Sequence, residues 1–128
     1  MTSHYMRCMI KDSFDKVFMA LSSEFGDIYA RKLGKPGESL KGVILGEHYF
    51  LRVESDAALL VTLEEISQTE TRIELIACAA GRGLTDIDYG SHNSYVHTVE
   101  DFLVKTGFQV EVEQEISYFD KSKQTISD

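Results

Sequence analysis

Cysteine, proline and tryptophan are scarce in this chain: among 128 residues there are two Cys, one Pro and no Trp. Small secreted domains usually carry cysteines in larger, even sets, so Cys8 and Cys78 predict reduced thiols and a cytoplasmic protein. One Pro and nine Gly exclude a collagen-like or low-complexity chain.

No apolar run approaches the roughly 20 residues that cross a bilayer, and the first ten residues lack the features of a signal peptide. We therefore expect no membrane association.

Basic residues are also in the minority, with 13 Lys and Arg against 21 Asp and Glu and a net charge of −8. Residues 1–45 hold seven basic and five acidic side chains, which leaves residues 46–128 with a net charge of −10. An acidic surface of this size repels phosphodiester backbones and anionic lipids. The composition therefore disfavours a nucleic-acid partner and a membrane partner.

Two stretches have the apolar periodicity of amphipathic helices. The first stripe consists of Phe14, Val17, Phe18 and Leu21, and the second of Tyr95, Val96, Val99, Phe102 and Leu103. The first stripe predicts a helix over residues 12–24 with Asp12 as its N-cap. The second predicts a helix over residues 91–106, with Ser91 as N-cap and Gly107 just beyond its C-terminus.

Alternating apolar residues and short connections predict antiparallel strands around these helices. The predicted strands cover residues 1–10, 41–45, 48–54, 57–66, 71–79 and 108–118, and residues 25–33 form either a short strand or an irregular segment after the first helix. Gly46 and Glu47 are expected to form a tight turn. The last strand is expected to place Phe108, Val110, Val112, Ile116 and Tyr118 inward and Gln109, Glu111, Glu113 and Glu115 outward. The order β-α-β(3–4)-α-β predicts an α+β two-layer sandwich, with both helices on one face of a mainly antiparallel sheet of five to six strands.

The predicted strands 57–66 and 71–79 are apolar on both faces in their middle. Because the helices cover only one face of a single sheet, the other face needs a second subunit, a folded-back segment or a ligand. A homodimer or a self-covered, barrel-like sheet is one interpretation, and a small-molecule cavity is the other.

A ligand site is predicted in residues 81–93, where a glycine-containing segment joins a core strand to a helix N-terminus. Small residues allow close backbone approach, and a helix N-terminus attracts anions. The candidate ligand-binding residues are Gly81, Arg82, Gly83, Tyr89, Ser91, Asn93 and, from the predicted strand 48–54, Arg52. The segment lacks the third glycine of a dinucleotide fingerprint and the Gly-Lys-Ser/Thr of a Walker loop. A simple strand-to-helix crossover explains the glycines equally well.

Catalytic motifs are missing, which favours a non-enzymatic module. His92 is the one candidate general base, with Asp88 to orient it. The alternative function is a small hydrolase- or cyclase-like enzyme that uses His92, Asp88 and Arg82 around a sheet cavity. His92 and His97 lie about 140° apart on a helix and cannot share one ion from one face, so we expect no metal and no cofactor.

Four segments, residues 47–53, 57–63, 77–83 and 88–95, resemble a family of short, uncharacterised prokaryotic proteins known as a domain of unknown function. The positions that carry the resemblance are Tyr49, Arg52, Thr62, Gly81, Gly83, Tyr89, Gly90 and Tyr95. The element order also resembles the helix-grip and TATA-binding-protein-like architectures, an analogy of shape that implies no activity. We expect one domain over residues 1–118, a polar tail over 119–128, and a homo-oligomeric or small-ligand-binding module.

Overall fold

A computed structural model describes residues 2–35, 37–50, 55–79 and 85–124. In chain order the elements are strand β1 (Thr2–Ile10), helix α1 (Phe14–Phe25), strands β2 (Tyr29–Leu33), β3 (Lys41–Phe50), β4 (Ser55–Ser67) and β5 (Glu70–Ala79), helix α2 (Thr85–Thr106) and strand β6 (Val110–Ser117). A single 3₁₀ turn, Lys121–Lys123, follows.

The six strands form one open, fully antiparallel sheet in the order β2-β3-β4-β5-β1-β6. Helix α1 packs on β3, β4 and β5, and helix α2 packs on β1, β5 and β4. The predicted α+β two-layer sandwich is therefore confirmed, with six strands and two helices in the described ranges. Neither described helix is long and apolar enough to cross a membrane.

One face of the sheet and the apolar stripes of both helices form the core. Cys8 lies opposite Ile73, and Ile73 lies opposite Leu63, so these side chains share the face that the helices cover. Buried residues alternate strictly along β5, as the period of a strand requires. The largest fully buried apolar side chains are Phe14, Met6, Ile10, Leu21, Ile44, Leu59, Ile73, Leu75, Leu103 and Val17.

Helix α1 begins two residues later than predicted. Ser13 is the N-cap, and its hydroxyl accepts a hydrogen bond from the backbone N–H of Lys16. Asp12, the predicted cap, instead accepts from the backbone N–H of Ser13. Ser13 has the extended backbone typical of an N-cap, and its hydroxyl reaches an N–H of the first helical turn, whereas the Asp12 carboxylate bonds only the N–H that precedes the helix.

Helix α2 begins at Thr85, six residues before the predicted start, so Ser91 lies inside the helix and is not its N-cap. The helix tolerates Gly90 at a cost of about 1 kcal/mol relative to Ala. Its end is as predicted: Gly107 has a φ of 103°, and the N–H groups of Gly107 and Phe108 donate to the carbonyls of Val104 and Leu103. This is a Schellman motif, which requires the left-handed backbone that glycine adopts easily.

The predicted turn at Gly46 and Glu47 is wrong, because β3 continues through both residues to Phe50. Gly46 lies opposite Leu59 of β4 in an unbroken ladder. A Cβ at Gly46 would lie 1.8 Å from the carbonyl oxygen of Phe25. The glycine therefore serves a close approach between β3 and the chain that leaves α1, and makes no turn.

The predicted assignment of inward and outward side chains in the last strand is correct only for the first half of β6. A β-bulge lies where Arg7 pairs with Gln114 and Cys8 pairs with Val112, which leaves Glu113 as the extra residue. Beyond the bulge the alternation is reversed. Glu115 lies opposite Met6 on the helix-covered face, and Ile116 lies opposite Tyr5 on the other face.

The face away from the helices, called here the open face, is apolar at its centre. Half-buried Val43, Leu60 and Ile76 lie on it, as expected for strands that are apolar on both faces. The first part of the predicted tail covers one end of this face: Phe119 stacks on Tyr5 with ring centroids 4.6 Å apart. Within the described residues, β2 and β6 are the unpaired edge strands of the sheet. The sheet therefore does not close into the barrel-like form that was one interpretation of the sequence.

Candidate functional site

The end cleft is a cavity of about 340 Å³ between the C-terminal end of α1, the second half of β3 and the middle of α2. Its described lining consists of Glu24, Phe25, Asp27, Glu47, His48, Tyr95 and Thr98. Small-molecule sites typically occupy 300–1,000 Å³ and combine apolar walls with a few convergent polar groups. The end cleft has such a volume, and its described lining combines the rings of Phe25, His48 and Tyr95 with three acidic residues.

The close approach at Gly46 builds one wall of the end cleft. The N–H of Ile28 donates to the carbonyl of Leu45 at 3.1 Å, which attaches the chain after α1 to the edge of β3. The carboxylate of Asp27 then accepts the backbone N–H of Glu47 at 3.0 Å. These two bonds hold the Asp27 carboxylate against the backbone of Glu47 at the rim of the cleft.

Aromatic rings form the inner wall. Tyr95 is 4% exposed, and its ring centroid lies 6.3 Å from that of Phe25 and 5.9 Å from that of His48. Burial raises the pKa of Tyr95, and together with the smaller effect of the negative charges of Asp27 and Glu47 it brings the value to about 12. The Tyr95 hydroxyl therefore experiences a negative field and stays neutral near pH 7.

A second group of polar side chains, the His–Glu cluster, lies between α2 and β6 and consists of His4, His97 and Glu115. One carboxylate oxygen of Glu115 lies 2.6 Å from His4 Nε2 and 3.0 Å from His97 Nε2. The other ring nitrogen of His97, Nδ1, lies 3.1 Å from the carboxylate of Glu100. Among the described residues, His4, His97 and Glu115 form the group whose ligand atoms could together hold a metal ion.

The candidate site residues from the sequence fall mostly outside the described part of the chain. Four of them fall between the described ranges 37–50, 55–79 and 85–124: Arg52, Gly81, Arg82 and Gly83. Five further candidates belong to α2, but their side chains are outside the described part of the structure: Asp88, Tyr89, Ser91, His92 and Asn93. The proposed roles of these residues as ligand-binding or catalytic groups therefore stay predictions.

The end cleft nevertheless lies beside these segments in sequence. His48 is four residues before Arg52, and Tyr95 is two residues after Asn93. Glu24, Asp27 and Glu47 were not predicted as site residues, because in the sequence each resembles an ordinary solvated charge. One signal was present: an isolated glycine within a strand pattern, here Gly46, often marks the close approach of another backbone.

The resemblance to an uncharacterised prokaryotic family and to the helix-grip and TATA-binding-protein-like architectures stays a prediction. No protein-family model matches this chain, and no curated protein is significantly similar to it.

Proposed function

We propose that the protein is a non-enzymatic binding domain that takes a small organic cation in the end cleft. The observation that carries this proposal is the juxtaposition of carboxylates with an aromatic wall in one cavity. Glu24, Asp27 and Glu47 line the cleft together with Tyr95 and Phe25. Within its described lining there is no Lys or Arg to neutralise the carboxylates.

A protonated amine or a quaternary ammonium group matches this chemistry. The carboxylates attract the positive charge, and the aromatic rings accept the apolar part of the ligand and add a cation–π contribution of about 0.5–2 kcal/mol. Asp27 and Glu47 also raise the pKa of Tyr95, because their negative charges disfavour the ionised, negatively charged form of its hydroxyl. Anionic ligands would meet the same repulsion.

The test compares ligands that share a phenyl ring and differ in charge, with benzylamine and benzyl alcohol as the pair of matched size. Benzylamine and benzyltrimethylammonium are titrated by calorimetry against benzyl alcohol and benzoate, all at one ionic strength. We expect the two cations to bind and the neutral and anionic analogues to bind at least about tenfold more weakly. Equal binding of benzyl alcohol, or no binding of either cation, would overturn the proposal.

Two conservative variants locate the binding. Asp27→Asn keeps an acceptor for the Glu47 backbone N–H while it removes one charge, and Glu47→Gln removes a second. We expect either change to weaken cation binding by about tenfold, and Glu111→Gln on β6 is the matched control outside the cleft. If Glu111→Gln weakens binding as much as Asp27→Asn, general surface charge and not the end cleft binds the cation.

A second candidate, self-association into a homodimer through the open face, is favoured by the charges at its two edges. Register places Arg31 and Lys41 on this face toward the β2 edge, whereas Glu111 lies toward the β6 edge next to Glu113, which is paired with Arg72 and Arg7. A two-fold axis parallel to the strands sets each basic edge against the acidic edge of the other copy, with the half-buried apolar centre between them.

Light scattering after size-exclusion chromatography tests the dimer. We expect the wild-type chain to have twice the monomer mass and Ile76→Lys to have the monomer mass, because an unpaired charge at the apolar centre opposes burial. Ile66→Lys is the control, since Ile66 is an exposed apolar residue near the end of β4. A monomeric wild-type chain at 100 μM would remove the homodimer and leave the proposed cation site unaffected.

A further inference from the structure

The His–Glu cluster joins three elements that are far apart in sequence. His4 lies on β1, His97 on α2 and Glu115 on β6. The ligand atoms of the three side chains, two imidazole nitrogens and one carboxylate oxygen, all lie within 4.8 Å of one another. Two imidazoles and one carboxylate that converge in this way form a donor set typical of transition-metal sites in proteins.

The bulge in β6 is the local feature that assembles the cluster. Strict alternation from Val112, which lies opposite the buried Cys8, would place Glu115 on the open face. The extra residue, Glu113, reverses the alternation and turns Glu115 toward α2, where His97 lies. Bulges that redirect a side chain are common beside functional sites.

The hydrogen-bond geometry of His97 provides a second, independent argument. Both ring nitrogens face carboxylates, Glu100 at 3.1 Å and Glu115 at 3.0 Å, and an ionised carboxylate only accepts hydrogen bonds. A neutral imidazole that donates from Nδ1 to Glu100 presents the lone pair of Nε2 to the Glu115 oxygen. A cation bound between Nε2 of His97 and the Glu115 oxygen would make this arrangement favourable.

We propose that His4, His97 and Glu115 bind a divalent first-row transition metal ion, with Zn²⁺ as the test probe. Ligand atoms about 2.1 Å from a tetrahedral ion lie about 3.4 Å from each other, so the present separations of 2.6 and 3.0 Å need to open by less than about 1 Å. The ion neutralises the two carboxylates of the site, Glu115 as a ligand and Glu100 through His97.

The surroundings fit an ion with protein ligands on one side and solvent on the other. The His4 side chain is 2% exposed and provides a fixed ligand within the sheet. The side chains of His97 and Glu115 are 43% and 35% exposed, so water can complete the coordination sphere. Glu100 orients the imidazole of His97 through Nδ1, the role that carboxylates commonly have next to histidine ligands of metals.

The competing explanation is that the side chains of the cluster only hydrogen-bond to one another, with no metal affinity. The test is a titration of the purified chain, first treated with chelator and dialysed, with Zn²⁺ in competition with a chromophoric chelator at pH 7.5. Co²⁺ in a parallel titration reports the donor set through its visible absorption. We expect one ion per chain. A wild-type chain that does not compete for Zn²⁺ would overturn the proposal.

Variants assign the ion to the cluster. His97→Ala and Glu115→Gln change half-exposed side chains, so both are expected to fold, which the midpoint of thermal unfolding without metal verifies. We expect each to weaken Zn²⁺ binding at least about 100-fold and to abolish the Co²⁺ spectrum. Matched controls are His48→Ala in the end cleft and Glu111→Gln on β6, which should bind as the wild type does. Unchanged binding by His97→Ala, or a loss confined to His48→Ala, would contradict the proposal.

Discussion

Gly46 and Phe25 are so close that a Cβ on the glycine would lie 1.8 Å from the Phe25 carbonyl oxygen. This contact joins the end of α1 to the middle of β3 and forms the rim of the end cleft. The neighbouring bond between the Asp27 carboxylate and the Glu47 N–H depends on the same approach. One glycine therefore connects the packing of the fold to the geometry of the candidate site.

Gly46→Ala is expected to destabilise the fold by about 3 kcal/mol, at the upper end of the range for overpacking, because the clashing atom belongs to the backbone. Gly42→Ala provides the comparison. A Cβ there would lie 2.9 Å from the ring of Phe18, a side chain that can rotate, so we expect a smaller loss. Urea denaturation measures both. A cost for Gly46→Ala that does not exceed that for Gly42→Ala would contradict the backbone contact.

The apolar stripe of α2 should supply most of the stability that this helix contributes. Leu103 is fully buried, whereas its neighbour Val104 is 56% exposed. We expect Leu103→Ala to lower the free energy of unfolding by about 2–5 kcal/mol, because it removes buried methyl groups and leaves a cavity. Val104→Ala should change it by less than about 0.5 kcal/mol. Similar losses from the two variants would show that the face of α2 toward the sheet is wrongly assigned.

The element order and the helix-covered face were predictable because they follow local periodicity. Phe14, Val17 and Leu21 recur at helical spacing, and the alternation along β5 is unbroken. The faces of β6 were not predictable beyond Val112, because a bulge is a property of pairing with β1 and leaves no mark in the sequence of β6 itself.

The two candidate sites were hard to predict for a related reason. His4 and Glu115 are separated by 111 residues and meet only because β1 and β6 are neighbours in the sheet. Helical spacing relates His92 to His97 within one helix, but no local pattern relates either of them to a histidine on β1. The end cleft likewise depends on a contact between the chain after α1 and the middle of β3, where a turn was predicted.

Glu113, the bulge residue, provides a pH-dependent contribution to stability. A hydrogen bond and ion pair with Arg72, at 3.0 Å, lower the pKa of Glu113, and Arg7 at 3.3 Å lowers it further. A lowered folded-state pKa means that the stabilisation is present above the unfolded-state pKa of about 4.3 and is lost as the pH falls through the folded-state value.

Glu113→Gln is therefore expected to cost less than about 1 kcal/mol at pH 7, since the pair is partly exposed, and progressively less below pH 4.5. Urea denaturation at a series of pH values from 7 to 3.5 measures the difference from the wild type. Glu111→Gln on the same strand is the control, for which we expect little change. A difference for Glu113→Gln that stays constant down to pH 3.5 would exclude this ion pair as its cause.

Tyr95 should make the fold sensitive to alkali. Because burial and the charges of Asp27 and Glu47 raise its folded-state pKa to about 12, its contribution is intact below the unfolded-state pKa of about 10 and is lost as the pH rises from 10 to 12. Tyr95→Phe removes this ionisation, so its stability should fall less steeply over that range than that of the wild type. Urea denaturation from pH 8 to 11 checks this, with the 54% exposed Tyr118→Phe as control. Parallel curves for the wild type and Tyr95→Phe would show that the hydroxyl is not held neutral by the end cleft.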